Sequence, residues 1–339
     1  MSISDAFDTA VARFADRNRD FLQRMIRQLR EDLGLQTVRK LELFHYVDLG
    51  MQLDKCTWQY NARFPMEDWR RIAQDTFSKC GFQFDLGRLD IHVVDFGGVR
   101  NKVYAVDAPE HIVVILDLPQ GGVQAYRHIF HELGHALHYS HFGPTEYRML
   151  RNPDLMERHF TEGIACLFES LIFERRWLRE NVGLSGDEAD KLRQAVIGAE
   201  ALNTMWNITL ARFEIEMYRN PTAYSNGGMG RLLCSLLSET LGVEEDSPTV
   251  ALNFAANMVV HQSVKGAVGW VLKMAVRDSL RYHHHDGIIY KDDLAGRLRP
   301  IMSGGHRSWI DFFHLIDCEF NFDSMARYWR SAFPEGELS

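Results

Sequence analysis

Apolar positions in the first eighty residues recur at intervals of three and four. In RFADRNRDFLQRMIRQLREDL (13–33) they alternate with charges at a period near 3.6, and Phe7, Val11, Phe14 and Phe21 extend the stripe upstream. That spacing predicts amphipathic helices, with Gly34 and Pro65 as punctuation. The pattern then changes. Leu89-Asp90-Ile91-His92-Val93-Val94 alternates as a strand does, and Gly97-Gly98 ends it. Val99 to Val106 and Ile112 to Leu118 read as two further β-segments around the turn-forming Asp107-Ala108-Pro109-Glu110. From Val123 onward the helical period returns almost to the end. Breaks are expected near Gly143-Pro144, Gly183 to Asp187, Asn220 to Gly230, Glu244 to Pro248 and Met302 to Gly305. The fold class expected is mainly α, with a small β-sheet inserted before a central helix. Residues 1–85 form an N-terminal helical region and 86–339 the remainder, together one compact unit with a cleft.

At 339 residues the chain can bury a large core. Its formal net charge of −8 lacks the basic surface that nucleic-acid binding needs, so no nucleic-acid partner is expected. No apolar run is long enough to span a bilayer, so no membrane association is expected. The N-terminus lacks the apolar stretch of a signal peptide, so a cytoplasmic location is expected. Five cysteines, at 56, 80, 166, 234 and 318, form no CxxC pair, which argues against a disulfide framework or a cysteine-rich zinc knuckle. His283-His284-His285 reads as a polar turn.

The chemistry concentrates in AYRHIFHELGHALH (125–138). On a helix, His131 and His135 project from one face a turn apart and can grip one metal ion. Glu132 then stands where a carboxylate can take a proton from a water, as a general base. The apolar flanks Ile129, Phe130, Leu133, Ala136 and Leu137 form a separate face, which sets this HExxH apart from a coincidence. A catalytic zinc needs a third protein ligand. His138 is turned away from the pair and His141 lies too far along the axis, so a second helix must bring the ligand. The segment HFTEGIACLFE (159–169) offers Glu162, 27 positions after His135, with the small Gly163 and Ala165 permitting close helix approach. Glu169 is the competitor and reads better as a partner of a ligand than as a ligand. Cys166, a turn after Glu162, reads either as core or as a neighbour of the metal site.

These motifs resemble those of gluzincin metallopeptidases of the thimet oligopeptidase and oligoendopeptidase F group, with the carboxypeptidase Taq group close by. The family motif HExGHxxH is matched at His131 to His138. A further motif, F-x-E followed seven residues later by Glu, is matched from Phe160 to Glu169 and puts Glu162 at the ligand position. LDIHVVDFGGVR (89–100) is similar to the strand and turn before the metal helix, and FEIEMY (213–218) to an FExxxY helix. The resemblance spans about residues 85 to 285 and implies a helical zincin-type core, one Zn2+ per chain and short peptides as substrates.

Two departures stand out. The chain is shorter than members of those groups. The region that should carry a histidine and oxyanion-binding tyrosines, NMVVHQSVKGAVGWV (257–271), supplies His261 but no tyrosine. His261, Tyr218 and Tyr224 are the candidate replacements. The glycines after Tyr224 read as a cleft-covering loop or a plain connection, and Arg100 as a contact for a substrate carboxylate or a surface ion pair. The strand from His111 to Leu118 is expected to lie at a sheet edge and pair with substrate. Two other functions fit the same motifs: hydrolysis of a modified peptide or small amide, and a non-catalytic peptide-binding relic. Retention of Glu132 speaks against the relic.

Overall fold

The computed structural model describes residues 3–34, 42–97, 101–118, 121–142, 158–220, 227–256, 269–277, 294–303 and 322–333. The described chain is mainly helical, with a single three-stranded sheet. Its contacts divide it into two units: Met1–Cys56 with Gln194–Val268 and Asn321–Ser339, and Thr57–Arg193 with Gly269–Phe320. Each unit gathers segments from distant stretches of the chain, which periodicity along the sequence does not report.

In the first unit, α1 (Ile3–Asp32) buries the predicted stripe of Phe7, Val11, Phe14, Phe21, Met25 and Leu29. The chain's last described helix, Asp323–Arg330, closes over it: Phe14 meets the Trp329 ring edge-on at 6.0 Å, and Arg330 donates to Asn18 at 2.8 Å. In α2 (Leu43–Trp58), Tyr46 is fully desolvated, and its hydroxyl donates to the Leu202 carbonyl at 2.6 Å. Leu202 belongs to the long helix Gly186–Arg219.

The second unit carries the sheet. Strands β1 (Asp90–Val94), β2 (Lys102–Asp107) and β3 (His111–Asp117) lie in the order β1-β3-β2. β1 runs parallel to β3, and β2 antiparallel to it. β3 is therefore the central strand, hydrogen-bonded on both sides, and cannot accept an added peptide strand; the expected edge is instead β1 or β2. The sequence shows the β2–β3 hairpin but not that β1 docks on the far side of β3.

Along β3, Ile112, Val114 and Leu116 are buried on the face that receives α4 (Gly122–Tyr139). The start of α4 is set by Gly122 at φ 70°, where a Cβ would collide with the Asn61 side chain. That proximity lets Asn61 Oδ1 accept the Val123 N–H at 3.1 Å, satisfying a donor the helix end leaves open. Behind α4, Phe130 stacks on Phe77 of α3 (Trp69–Lys79) at 5.9 Å and meets Trp177 edge-on at 5.8 Å. The polar ends of these rings are satisfied: Trp177 Nε1 donates to Thr76 Oγ1 at 2.9 Å, and the Tyr126 hydroxyl to the Pro65 carbonyl at 2.9 Å. The result is a rigid apolar backing for the opposite face of α4. No helix among the described residues is long and apolar enough to cross a membrane.

Candidate metal centre

The polar face of α4 carries His128, His131, Glu132 and His135, at relative positions i, i+3, i+4 and i+7 of one helical stripe. Opposite it runs α5 (Arg158–Leu171). The two helices approach closely at Gly134, where a Cβ would stand 2.9 Å from Ala165 Cα. Ala165 thus serves as the sequence suggested. Gly163 does not: it faces away from α4, and a Cβ there would strike Leu272, 2.7 Å away, in the helical residues 269–277.

This approach brings Glu162 to the histidine pair. Its Oε1 lies 3.3 Å from His131 Nε2 and its Oε2 3.5 Å from His135 Nε2. All three residues offer a ligand atom within 4.8 Å of the others. Atoms bound about 2 Å from one zinc ion at tetrahedral angles stand about 3.3 Å apart. The spacing and the two-nitrogen, one-carboxylate donor set therefore fit a divalent zinc-like ion. His135 Nδ1 is buried with no hydrogen-bond partner among the described residues, so only Nε2 of that ring faces a possible ligand.

Glu169, two helical turns beyond Glu162 on α5, holds His131 from the other side: its Oε2 is 3.1 Å from Nδ1. A carboxylate in that position fixes the ring and presents Nε2 outward. Glu169 is itself held by Arg127 Nε at 2.8 Å. Burial alone would push its pKa up, but Arg127, His131 and Lys273 overcome that and hold it well below the ordinary carboxylate range. Glu162 is lowered in the same sense by His131 and His135, against burial. His131 pays for desolvation but gains hydrogen bonds with Cys166, Glu162 and Glu169, and its pKa rises well above that of a free imidazole. Cys166 is buried, its thiol pushed up to about 11 by that burial, with Sγ inside a second cluster formed with His131 and Glu169.

Glu132 is 7% exposed, and burial raises its pKa, partly opposed by the two histidines. It opens on a cavity of about 450 Å³ lined also by Asn101, Gln124, Arg127, His128, His131 and Glu169. His138 is fully buried against Phe142, ring centres 4.8 Å apart, and His141 Nδ1 lies 2.8 Å from the Leu137 carbonyl, so neither faces this cavity. Tyr218 is 69% exposed. Arg100, Tyr224, His261 and the triple histidine lie outside the described residues. Asn101, Gln124, Arg127 and His128 were missed in the sequence. The signal for His128 was its place three residues before His131 on the same helix face; Asn101 had none, since only the sheet brings it there.

No family model matches this sequence, and no curated protein is similar to it. Solved structures do match. Metallocarboxypeptidase 1 of Trypanosoma cruzi superposes with a TM-score of 0.61 at 14% identity, covering 99% of this chain and 70% of its own. The M32 carboxypeptidase of Deinococcus radiodurans R1 gives 0.55 at 14%, covering 99% and 79%. PZ peptidase A gives 0.56 at 11%, covering 97% and 58%. The chain has the helical metallopeptidase fold. At these identities the likeness concerns architecture, and the chain spans only part of each of those proteins.

Proposed function

We propose that this protein is a metal-dependent peptidase acting on short peptides, with His131, His135 and Glu162 as ligands of a zinc ion and Glu132 as general base. The observation that carries this reading is the convergence of two imidazole nitrogens and one carboxylate at ligand spacing beside a buried glutamate on one cavity. The fold shared with two carboxypeptidases and a peptidase supports it. An ion held there supplies Lewis-acid polarisation of a carbonyl and acidifies a water.

The chain's residues do the rest. Glu169 and Arg127 keep His131 in the orientation that presents Nε2. Glu132, its pKa raised by burial, takes a proton from the attacking water at its carboxylate and passes it to the departing amine. Edge strand β2, whose residue before its first, Asn101, lines the cavity, is the strand best placed to align a peptide backbone.

The test is metal content together with hydrolysis of a mixed short-peptide library, on wild type and on Glu132→Gln. About one zinc per chain in both, with cleavage only by wild type, is the expected result. Equal cleavage by both contradicts the role of Glu132. Zinc in both with cleavage in neither contradicts the peptide substrate.

A further inference from the structure

The cavity beside Glu132 has more polar groups than a metal and a base require, and their hydrogen bonds can be accounted for one by one. Asn101 Oδ1 accepts the Asp117 backbone N–H at 2.7 Å. That bond fixes the amide, so its Nδ2 must be the group 3.1 Å from His128 Nδ1. An amide N–H donates, so His128 Nδ1 accepts. In the neutral ring the remaining proton therefore sits on Nε2. Arg127 is committed to Glu169 and Gln124, and His131 to the two glutamates. Glu132 and Glu169 are acceptors only. Among the donors that line the cavity, His128 Nε2–H and the Gln124 amide have no protein acceptor among the described residues. His128 lies one helical turn before His131 and Glu132, and Gln124 a turn further away.

We propose that His128 is a substrate-contacting residue whose Nε2–H donates to the carbonyl oxygen that gains negative charge during hydrolysis. It would stand in for the oxyanion tyrosines absent from residues 257–271. Asn101 is its positioning residue, acting through the tautomer, and Asp117 holds Asn101. Burial and the neighbouring Arg127 lower the ring's pKa, which favours the neutral donor. The inference rests on the peptidase reading above.

Two measurements test it. The first is long-range proton–nitrogen NMR of the zinc-loaded chain labelled in histidine nitrogen, for wild type and Asn101→Leu. The expected spectrum shows His128 as the Nε2–H tautomer in wild type, with that preference lost in the variant. The second is steady-state hydrolysis of the best peptide from the library by His128→Phe and His128→Gln. Removing an oxyanion donor costs about a hundredfold or more in kcat, so His128→Phe should lose about that much with KM changed less than about threefold. Glutamine places an amide donor near the lost Nε2 and should recover about tenfold of the loss. Zinc content should be unchanged in both.

An Nδ1–H tautomer in a wild type that cleaves peptides overturns the role of His128 and leaves the peptidase reading intact. Wild-type kcat in His128→Phe, or a loss in KM alone, does the same. A wild type that cleaves nothing overturns the peptidase reading, and this role with it.

Discussion

The two ends of the polar face of α4 are built from the same kinds of residue to opposite purposes. At the C-terminal end, His131 and His135 face the carboxylate of Glu162, and Glu169 backs His131. Two imidazole nitrogens and a carboxylate converge there, a donor set that suits a cation. At the N-terminal end, the Asn101 amide N–H faces the lone pair of His128 Nδ1, which leaves the neutral ring's proton on Nε2. We read one histidine as a ligand and the other as an N–H donor from the second hydrogen bond that each ring makes: a carboxylate stands behind His131, and an amide N–H behind His128.

Substitutions should separate the two ends. The largest effect on turnover is expected from Glu132→Gln, which removes the base: a loss of about 10²- to 10⁴-fold in kcat with zinc content retained, read from kinetics and metal analysis. Next, Glu162→Ala should weaken zinc binding by more than the roughly 10- to 100-fold that outer-shell changes cause, measured by competition with a chromophoric chelator. Glu169→Gln should fall inside that range of about 10- to 100-fold, since it loosens His131 without removing a ligand. If Glu169→Gln costs more than Glu162→Ala, the ion sits with Glu169 and the comparison between the two ends fails. The smallest effect is on stability. Gly134→Val overfills the α4–α5 contact, where only a hydrogen fits against Ala165, and should cost about 1–3 kcal/mol in chemical denaturation.

Much of this was readable along the chain where it is local. His131, Glu132 and His135 share one and a half turns of a helix, so spacing alone puts them on one face. The core stripe of α1 was readable for the same reason. Glu162 was reachable because the small Ala165 announces a close helix crossing, although Gly163, read the same way, turned out to face Leu272. What was not readable depends on pairing at a distance. The order β1-β3-β2 removed the expected edge from β3. Asn101 reaches His128 only because the sheet register and Asp117 hold it there, and nothing in the residues flanking Asn101 signals a partner 27 positions away.

The account turns most directly on where an ion binds. Crystals grown with zinc, with diffraction recorded on both sides of the zinc absorption edge, would show it as an anomalous peak. A single peak within about 2.2 Å of His131 Nε2, His135 Nε2 and Glu162, with Glu169 behind the His131 ring, is the predicted result. A peak among His131, Cys166 and Glu169, or no peak on α4 at all, would contradict it.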